Sequence, residues 1–167
     1  MILRRYYITL YTLFLWGIFL AQGQSPILEV TTYSDIVTDS DNTVNATDVV
    51  VFTIKAKNIS NLALSSLTIS HTLKGINGSA LTLNSSPTFL SNSNGSSPGS
   101  LVAGETGTYI ATYTFNGAGV SAGGVSLTVT GTASTPGNSN NVTDPSDDGD
   151  DSDGNTANDP TQVVAGN

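Results

Sequence analysis

The sequence predicts an all-β protein, an antiparallel β-sandwich of about seven strands, and three observations support this prediction. After residue 24 the chain shows hardly any helical periodicity, and Thr, Ser, Val, Gly and Asn dominate its 167 residues. Several segments alternate between apolar and polar residues, as half-buried strands do. Turn-forming residues separate these segments at short intervals. Because each strong strand has one apolar face, two sheets packed face to face account for the pattern, with a closed barrel as the alternative.

The N-terminus is typical of a secretory signal peptide over residues 1–23. Arg4 and Arg5 form a basic start, an apolar run follows from Ile8 to Leu20, and small residues precede a cleavage site after Gly23. A retained membrane anchor is the alternative, but the run is shorter than the ~20 apolar residues of a spanning helix. We therefore expect a secreted or cell-surface protein that is not inserted in a membrane after cleavage.

The charge of the remaining chain excludes some partners. After cleavage three basic side chains (Lys55, Lys57 and Lys74) stand against thirteen acidic ones, a net charge of −10. Nucleic acid binding needs a basic footprint, and attraction to an anionic membrane needs one too, so neither is expected. The sequence has no cysteine, which excludes disulfides and thiol chemistry. The fold must therefore depend on its core, on ions or on a partner.

The first half of the chain is organised around residues 48–73. A first strand is predicted from Ile27 to Tyr33, and a polar connection follows. Residues 48–73 then predict a central strand pair, interrupted by the polar turn Asn58-Ile59-Ser60-Asn61. His71, the only histidine, falls on the apolar face of the second strand. The residues predicted to point inward are Leu28, Val30, Val50, Phe52, Ile54, Ala56, Leu67, Ile69 and Leu73.

The second half predicts two short strands near residues 81–83 and 87–90, a polar loop over 91–100 and two long strands over 106–115 and 125–133. A glycine-rich turn is predicted over 117–124, and a last short strand over 161–164. The inward residues of the long strands are Tyr109, Ala111, Tyr113, Phe115, Val125, Leu127, Val129 and Ala133.

The acidic segment 144–159 carries seven of the thirteen acidic residues and is the most distinctive chemical feature. Counted from Asp144, oxygen-bearing side chains alternate as in a calcium loop, with Gly149 at the sixth position. A second, shorter calcium-turn pattern begins at Asp151. A flexible acidic linker is the alternative. The candidate calcium ligands are Asp144, Ser146, Asp148, Asp150, Asp151, Ser152 and Asp153. The predicted organisation is thus a signal peptide (1–23), a β-sandwich (24–143), an acidic loop (144–159) and a final strand with the C-terminus (160–167).

The order of several motifs resembles a known repeat. The strand Asp48–Ile54, the turn Asn58–Asn61 and the stretch from Leu101 through Gly104-Glu105-Thr106 to Tyr113 follow the pattern of the Ig-like repeat of large secreted bacterial and archaeal surface proteins. The segment 143–155 is similar to repeats of gliding-motility-associated surface proteins. The sequence departs from the family at three places. His71 stands where the family commonly has Asp, an Asp expected near Gly119 is missing, and Ser126-Leu127-Thr128 stands where the family tends to have N-x-A.

This resemblance implies an Ig-like sandwich with a structural or adhesive role and no known catalysis. Its partners would be neighbouring surface-protein modules or an extracellular surface or glycan. The alternative function is a carbohydrate-binding module, for which Tyr33 is the candidate aromatic contact. Catalysis is not expected. His71 has no second histidine or cysteine to join. Glu29 and Glu105 are a candidate glycosidase pair, but Glu29 is predicted on the outward face of the first strand and Glu105 in a turn before a strand.

Overall fold

A computed structural model describes residues 28–37, 43–150, 152 and 157–166. The described chain is mostly strand with almost no helix, and its strands form two antiparallel sheets. The elements, in chain order, are β1 (Leu28–Val37), β2 (Val49–Asn58), β3 (Ser65–Gly75), β4 (Ala80–Leu81), β5 (Ser85–Asn92), β6 (Thr106–Thr114), α1 (Gly117–Ser121), β7 (Gly124–Ser134), β8 (Val142–Pro145) and β9 (Thr161–Val164). The predicted all-β sandwich is confirmed. The signal peptide predicted for residues 1–23 lies outside the described residues.

The two sheets have simple strand orders. The first sheet has the order β1-β2-β6-β5, and the second has the order β4-β3-β7-β8, with β9 also paired to β7. All of these strand pairs are antiparallel. Each sheet buries one apolar face against the other, because alternating residues of a strand point to opposite faces.

The core contains nearly every residue predicted to point inward. Phe52, Tyr113, Phe115, Leu127 and Val125 are among the largest fully buried side chains. Two of the inward positions, Ile69 and His71, are only half-buried, because β4 pairs only with Leu73 and Lys74 and leaves this part of β3 at the edge of the second sheet. Period-two alternation therefore identified the core faces correctly.

The predicted central strand pair is wrong in one respect, since β2 and β3 do not pair with each other. β2 pairs with β1 and β6, whereas β3 pairs with β4 and β7 in the opposite sheet. The reason lies in the connection, where Leu64 exchanges two backbone hydrogen bonds with Leu101 (2.8 and 2.9 Å). This bridge carries the chain across to the second sheet, so that the apolar faces of β2 and β3 oppose each other across the core.

The glycine-rich turn predicted over 117–124 contains the short helix α1. Asn116 caps its start, because the side-chain oxygen accepts hydrogen bonds from the backbone N–H groups of Ala118 (3.0 Å) and Gly119 (3.1 Å). A Cβ added at Gly119 would lie 2.5 Å from the hydroxyl of Tyr113. The glycine thus lets the helix pack on the core aromatics. Within the described part of the chain, no helix is long and apolar enough to cross a membrane.

The last strand of the second sheet is split into β8 and β9. Both run antiparallel to β7, β8 beside its second half and β9 beside its first half. The final strand predicted over 161–164 is confirmed. Asp144 and Pro145, however, belong to β8 and not to the acidic loop predicted over 144–159, because they pair with Gly131 and Thr130. The acidic segment is therefore an excursion in the middle of one strand.

Candidate functional site: an acidic cleft beside the first strand

The acidic excursion begins by binding the free edge of β1. Asp147 forms a parallel β-bridge with Thr31. The N–H of Asp147 donates to the carbonyl of Val30 (3.0 Å), and the carbonyl of Asp147 accepts the N–H of Thr32 (2.8 Å). β1 thus has β2 on one side and the start of the excursion on the other. This contact ties the first sheet to the second along one edge of the sandwich.

Two predicted calcium ligands help to hold this contact. The Asp144 carboxylate accepts the N–H of Val30 at 2.7 Å. Burial raises the pKa of Asp144, and the charges of Glu29 and Asp147 raise it further against the lowering effect of the Val30 hydrogen bond. Ser146 is fully buried, and its hydroxyl accepts the N–H of Val129 at 3.0 Å. Both side chains therefore have partners within the sheets.

The other predicted ligands follow in a chain of tight turns. Asp148 accepts the N–H of Asp150 (2.8 Å), and Asp150 in turn accepts the N–H of Ser152 (2.9 Å). Hydrogen bonds from the hydroxyl and the N–H of Ser152 lower the pKa of the exposed Asp150. Asp151 and Asp153 lie outside the described residues.

The structure brings together a different group of carboxylates from the predicted one. Ligand oxygens of Asp147, Asp148 and Asp159 all lie within 4.8 Å of one another, so these residues could hold a metal ion. The Asp147 Oδ1 atom accepts the N–H of Gly149 (2.7 Å), whereas its Oδ2 atom is buried and takes no hydrogen bond from the described residues. Of the three, only Asp148 was predicted. Asp159 could have been found from the sequence. Val163 and Thr161 alternate with outward residues, and the same period of two places Asp159 on the inner face.

A cleft of about 380 Å³ lies between β1 and the excursion. Tyr33 forms part of one wall and is 42% exposed. The Lys55 ammonium lies 5.0 Å from the centroid of the Tyr33 ring, a cation–π contact that occupies part of the only large exposed aromatic surface among the described residues. The residues that line the cleft are Glu29, Val30, Thr31, Tyr33, Asp144, Pro145, Asp147, Gly149, Ala157 and Asn158.

The two glutamates occupy very different environments. Glu29 is exposed on β1 and lines the cleft. Glu105 is completely buried, and its carboxylate accepts the N–H groups of Val102 (2.8 Å), Asn94 (3.0 Å) and Ser96 (3.1 Å). Burial alone would raise the pKa of Glu105, but a hydrogen bond from the Ser96 side chain and the three backbone bonds outweigh it and hold the pKa below its usual value. Glu105 is therefore the anchor of the loop over 93–104.

The turn motif at Asn58 has a similar structural role. Asn58 is buried, and its amide nitrogen donates to the carbonyls of Leu62 (2.7 Å), Leu101 (3.1 Å) and Val102 (3.1 Å). Its side-chain oxygen accepts the hydroxyl of Ser60 at 2.7 Å. Asn58 and Glu105 both belong to the motifs that resemble the surface-protein repeat. In this structure they hold two loops together at one end of the sandwich.

Comparison with protein-family models, with curated proteins and with solved structures gives no match to this chain. The resemblance to the surface-protein repeat accordingly stays a prediction from the sequence. The function has to be inferred from the geometry of the fold and of the acidic edge.

Proposed function

We propose that this chain is a secreted or cell-surface structural or adhesive module with an Ig-like fold, and that it is not an enzyme. The strand order supports the Ig-like assignment. In an Ig constant-type sandwich, strands A, B, E and D form one sheet and strands C, F and G the other. Here β1-β2-β6-β5 corresponds to A-B-E-D, and β3-β7 with the split strand β8 and β9 corresponds to C-F-G.

The observation that carries the structural role is the placement of the first and last strands. We call the end of the sandwich with Leu28, Asn58 and Ser134 the upper pole, and the end with Gly75 and Gly124 the lower pole. β1 starts at the upper pole, beside the end of β2, whereas β9 ends at the lower pole, opposite Gly124. When the polypeptide enters a module at one pole and leaves it at the other, each module adds its full height to the length of a row of modules.

The structural and adhesive role is tested with the intact protein in a bacterial cell that exports it. A fluorescently tagged chain should be retained at the cell surface or should associate with further copies of itself, and a glycan array should give no binding. Glycan binding that is lost in Tyr33→Ala would instead support the carbohydrate-binding alternative. A chain that is neither exported nor retained would contradict the proposal.

We further propose that Asp147, Asp148 and Asp159 together bind a calcium ion. Hard cations prefer several oxygen ligands, and extracellular modules bind calcium with a Kd on the order of 10⁻⁴ to 10⁻³ M. The ion would join the outgoing limb of the excursion, at Asp147 and Asp148, to the returning limb at Asp159. The acidic segment would then be stiffened without a large effect on global stability.

Calcium titration tests this assignment directly. At a calcium concentration equal to the Kd, binding adds ~0.4 kcal/mol, which raises the Tm by about 1–2 °C. Calcium should also slow proteolysis of the acidic segment. Asp159→Asn should abolish both effects, whereas the control Asp150→Asn, an exposed aspartate of the same segment outside the cluster, should retain them. Equal digestion in calcium and in chelator would refute calcium binding.

A further inference from the structure

The two sheets are joined directly at a small group of hydrogen bonds that centres on two residues of β1. Val30 donates its N–H to the Asp144 carboxylate (2.7 Å), and its carbonyl accepts the N–H of Asp147 (3.0 Å). Thr32 donates its N–H to the Asp147 carbonyl (2.8 Å), and its own carbonyl accepts the Thr161 hydroxyl (2.9 Å). We call these four bonds the β1 clamp. They connect the first strand of one sheet to both halves of the last strand of the other.

The direction of the strands determines how the clamp would respond to tension. β1, β8 and β9 all run from the upper to the lower pole, because β8 and β9 are antiparallel to β7 and Thr31 is parallel to Asp147. A pull on the chain before β1 acts towards the upper pole. A pull on the chain after β9 acts towards the lower pole. The two forces slide β1 and the last strand past each other, so the four bonds are loaded together and not one after another.

The β1 and β9 residues of the clamp are buried, whereas Asp144 and Asp147 are half-buried beside the cleft. Val30 and Thr32 are buried, with 1% and 0% exposure, and Thr161 is 5% exposed. At Gly131 of β7 the absence of a side chain lets β1 approach closely, since a Cβ there would lie 2.7 Å from Val30 Cγ2. The bond from the Thr161 hydroxyl to the Thr32 carbonyl is buried, and a hydrogen bond in the protein interior is electrostatically stronger than one in water.

We infer that the β1 clamp is a load-bearing lock, and that the protein resists tension applied between its two poles. The inference rests on the proposed structural role and specifies the kind of work that the module does. The partner is any neighbour or surface that pulls on the chain from opposite ends. An ion at Asp147, Asp148 and Asp159 would strengthen the lock, because it would link Asp147, which is bonded to β1, to the residue that leads into β9.

Single-molecule force spectroscopy on the mature chain, held by handles at its two ends, tests this inference. Thr161→Val removes one clamp donor while it keeps a β-branched side chain, and it should unfold about fivefold faster at a given force, as expected for the loss of one typical hydrogen bond. The matched control is Thr68→Val, which removes a hydroxyl that donates to Thr132 between β3 and β7, away from β1. Its unfolding rate under load should equal that of the parent chain.

Asp144 provides a second, independent pair of variants. Asp144→Ala removes the acceptor for Val30 and should weaken the chain under load, whereas Asp144→Asn keeps an acceptor oxygen and should restore most of the resistance. If Asp144→Ala does not fold, Thr161→Val still decides the question. The sequence has no cysteine, so cysteines introduced at the exposed Ser86 of β5 and Thr72 of β3 define a second pulling direction, between the two sheets and away from β1. In that direction Thr161→Val should have no effect.

Two results would overturn the inference: equal unfolding rates of Thr161→Val and the parent chain under end-to-end load, or an equal loss of resistance in Thr68→Val. A lock measured in a chain that is not retained at the cell surface would refute the proposed adhesive role and leave the lock standing. Conversely, a retained chain without a lock would refute only the present inference. Measurements in calcium and in chelator separate the contribution of the ion from that of the clamp. The four clamp bonds do not involve an ion, so the resistance to load that they supply should remain in chelator.

Discussion

At the scale of single residues, the upper pole is fixed by a buried carboxylate. Glu105 accepts three backbone N–H groups from the loop that precedes it, which draws this polar loop onto the end of the sandwich. Hydrogen bonds to a charged group are stronger than those between neutral groups, so one side chain can hold about ten residues of polar loop in place. The sequence placed Glu105 in a turn, but it gave no indication of burial, because the loop that encloses the carboxylate has no pattern of its own.

Glu105→Gln should therefore destabilise the protein by about 2–3 kcal/mol, because one acceptor oxygen is replaced by an amide that cannot accept an N–H. The variant should also respond differently to acid. The folded-state pKa of Glu105 lies below the ordinary value of 4.5, so its stabilising contribution is complete above pH 4.5 and is lost as the pH falls towards the folded-state pKa. As the pH falls below 4.5, the parent chain should lose stability faster than Glu105→Gln in urea unfolding measurements.

Glu29→Gln is the matched control, since Glu29 is the other glutamate of the chain and is exposed. Its stability should stay within about 0.5 kcal/mol of the parent value, as for most surface substitutions. Parallel pH curves for Glu105→Gln and the parent chain would show that the buried carboxylate does not carry the acid sensitivity.

At the scale of elements, the packing of β1 on β7 depends on a missing side chain. The alternation of β7 places Val125, Leu127, Val129 and Ala133 inward, and Gly131 occupies the remaining inward position. A Cβ at Gly131 would lie 2.7 Å from Val30 and 2.9 Å from Leu28, both on β1. The glycine therefore leaves the space that the side chains of Val30 and Leu28 fill.

Gly131→Ala should accordingly cost about 1–3 kcal/mol, because the added methyl group forces β1 away from β7. Gly117→Ala is the control, since no atom lies within 4 Å of the added Cβ at the start of α1 and alanine is the better helix former. That variant should be as stable as the parent chain or slightly more stable. Thermal unfolding of the two variants measures the difference, and equal Tm values for both would contradict the close packing of β1 on β7.

The elements also show what the sequence can and cannot predict. β2, β6, β7 and β9 were predicted nearly to their ends, because burial of one face imposes a period of two that is visible locally. The placement of β2 and β3 in different sheets was not predicted, because it depends on the bridge between Leu64 and Leu101 across the chain. β8 is not predicted from the sequence, because Asp and Pro are typical of loops. The pairing of Asp144 and Pro145 with β7 nevertheless makes them part of a strand. The grouping of Asp147 with Asp159 likewise appears only when the excursion returns to the sheet.

At the scale of the whole molecule, the opposite positions of the start of β1 and the end of β9 distinguish this fold from many domains, whose chain ends lie close together. The longest strands have 10 or 11 residues, and at ~3.4 Å per residue the sandwich is roughly 35 Å high between its poles. Modules joined end to end through opposite poles would extend, whereas modules joined at one pole would fold back on each other.

Two copies of the mature sequence joined in one chain should therefore form an elongated particle. We expect its maximum dimension, measured by small-angle X-ray scattering, to be nearly twice that of a single copy, because each copy adds its full height. Calcium should narrow the distribution of distances if the ion stiffens the acidic excursion beside β9, and Asp159→Asn should remove that narrowing while it leaves the maximum dimension unchanged. A two-copy particle less than one and a half times as long as a single copy would show that the modules fold back, and the pole-to-pole spacer role would then be wrong even if the clamp bears load.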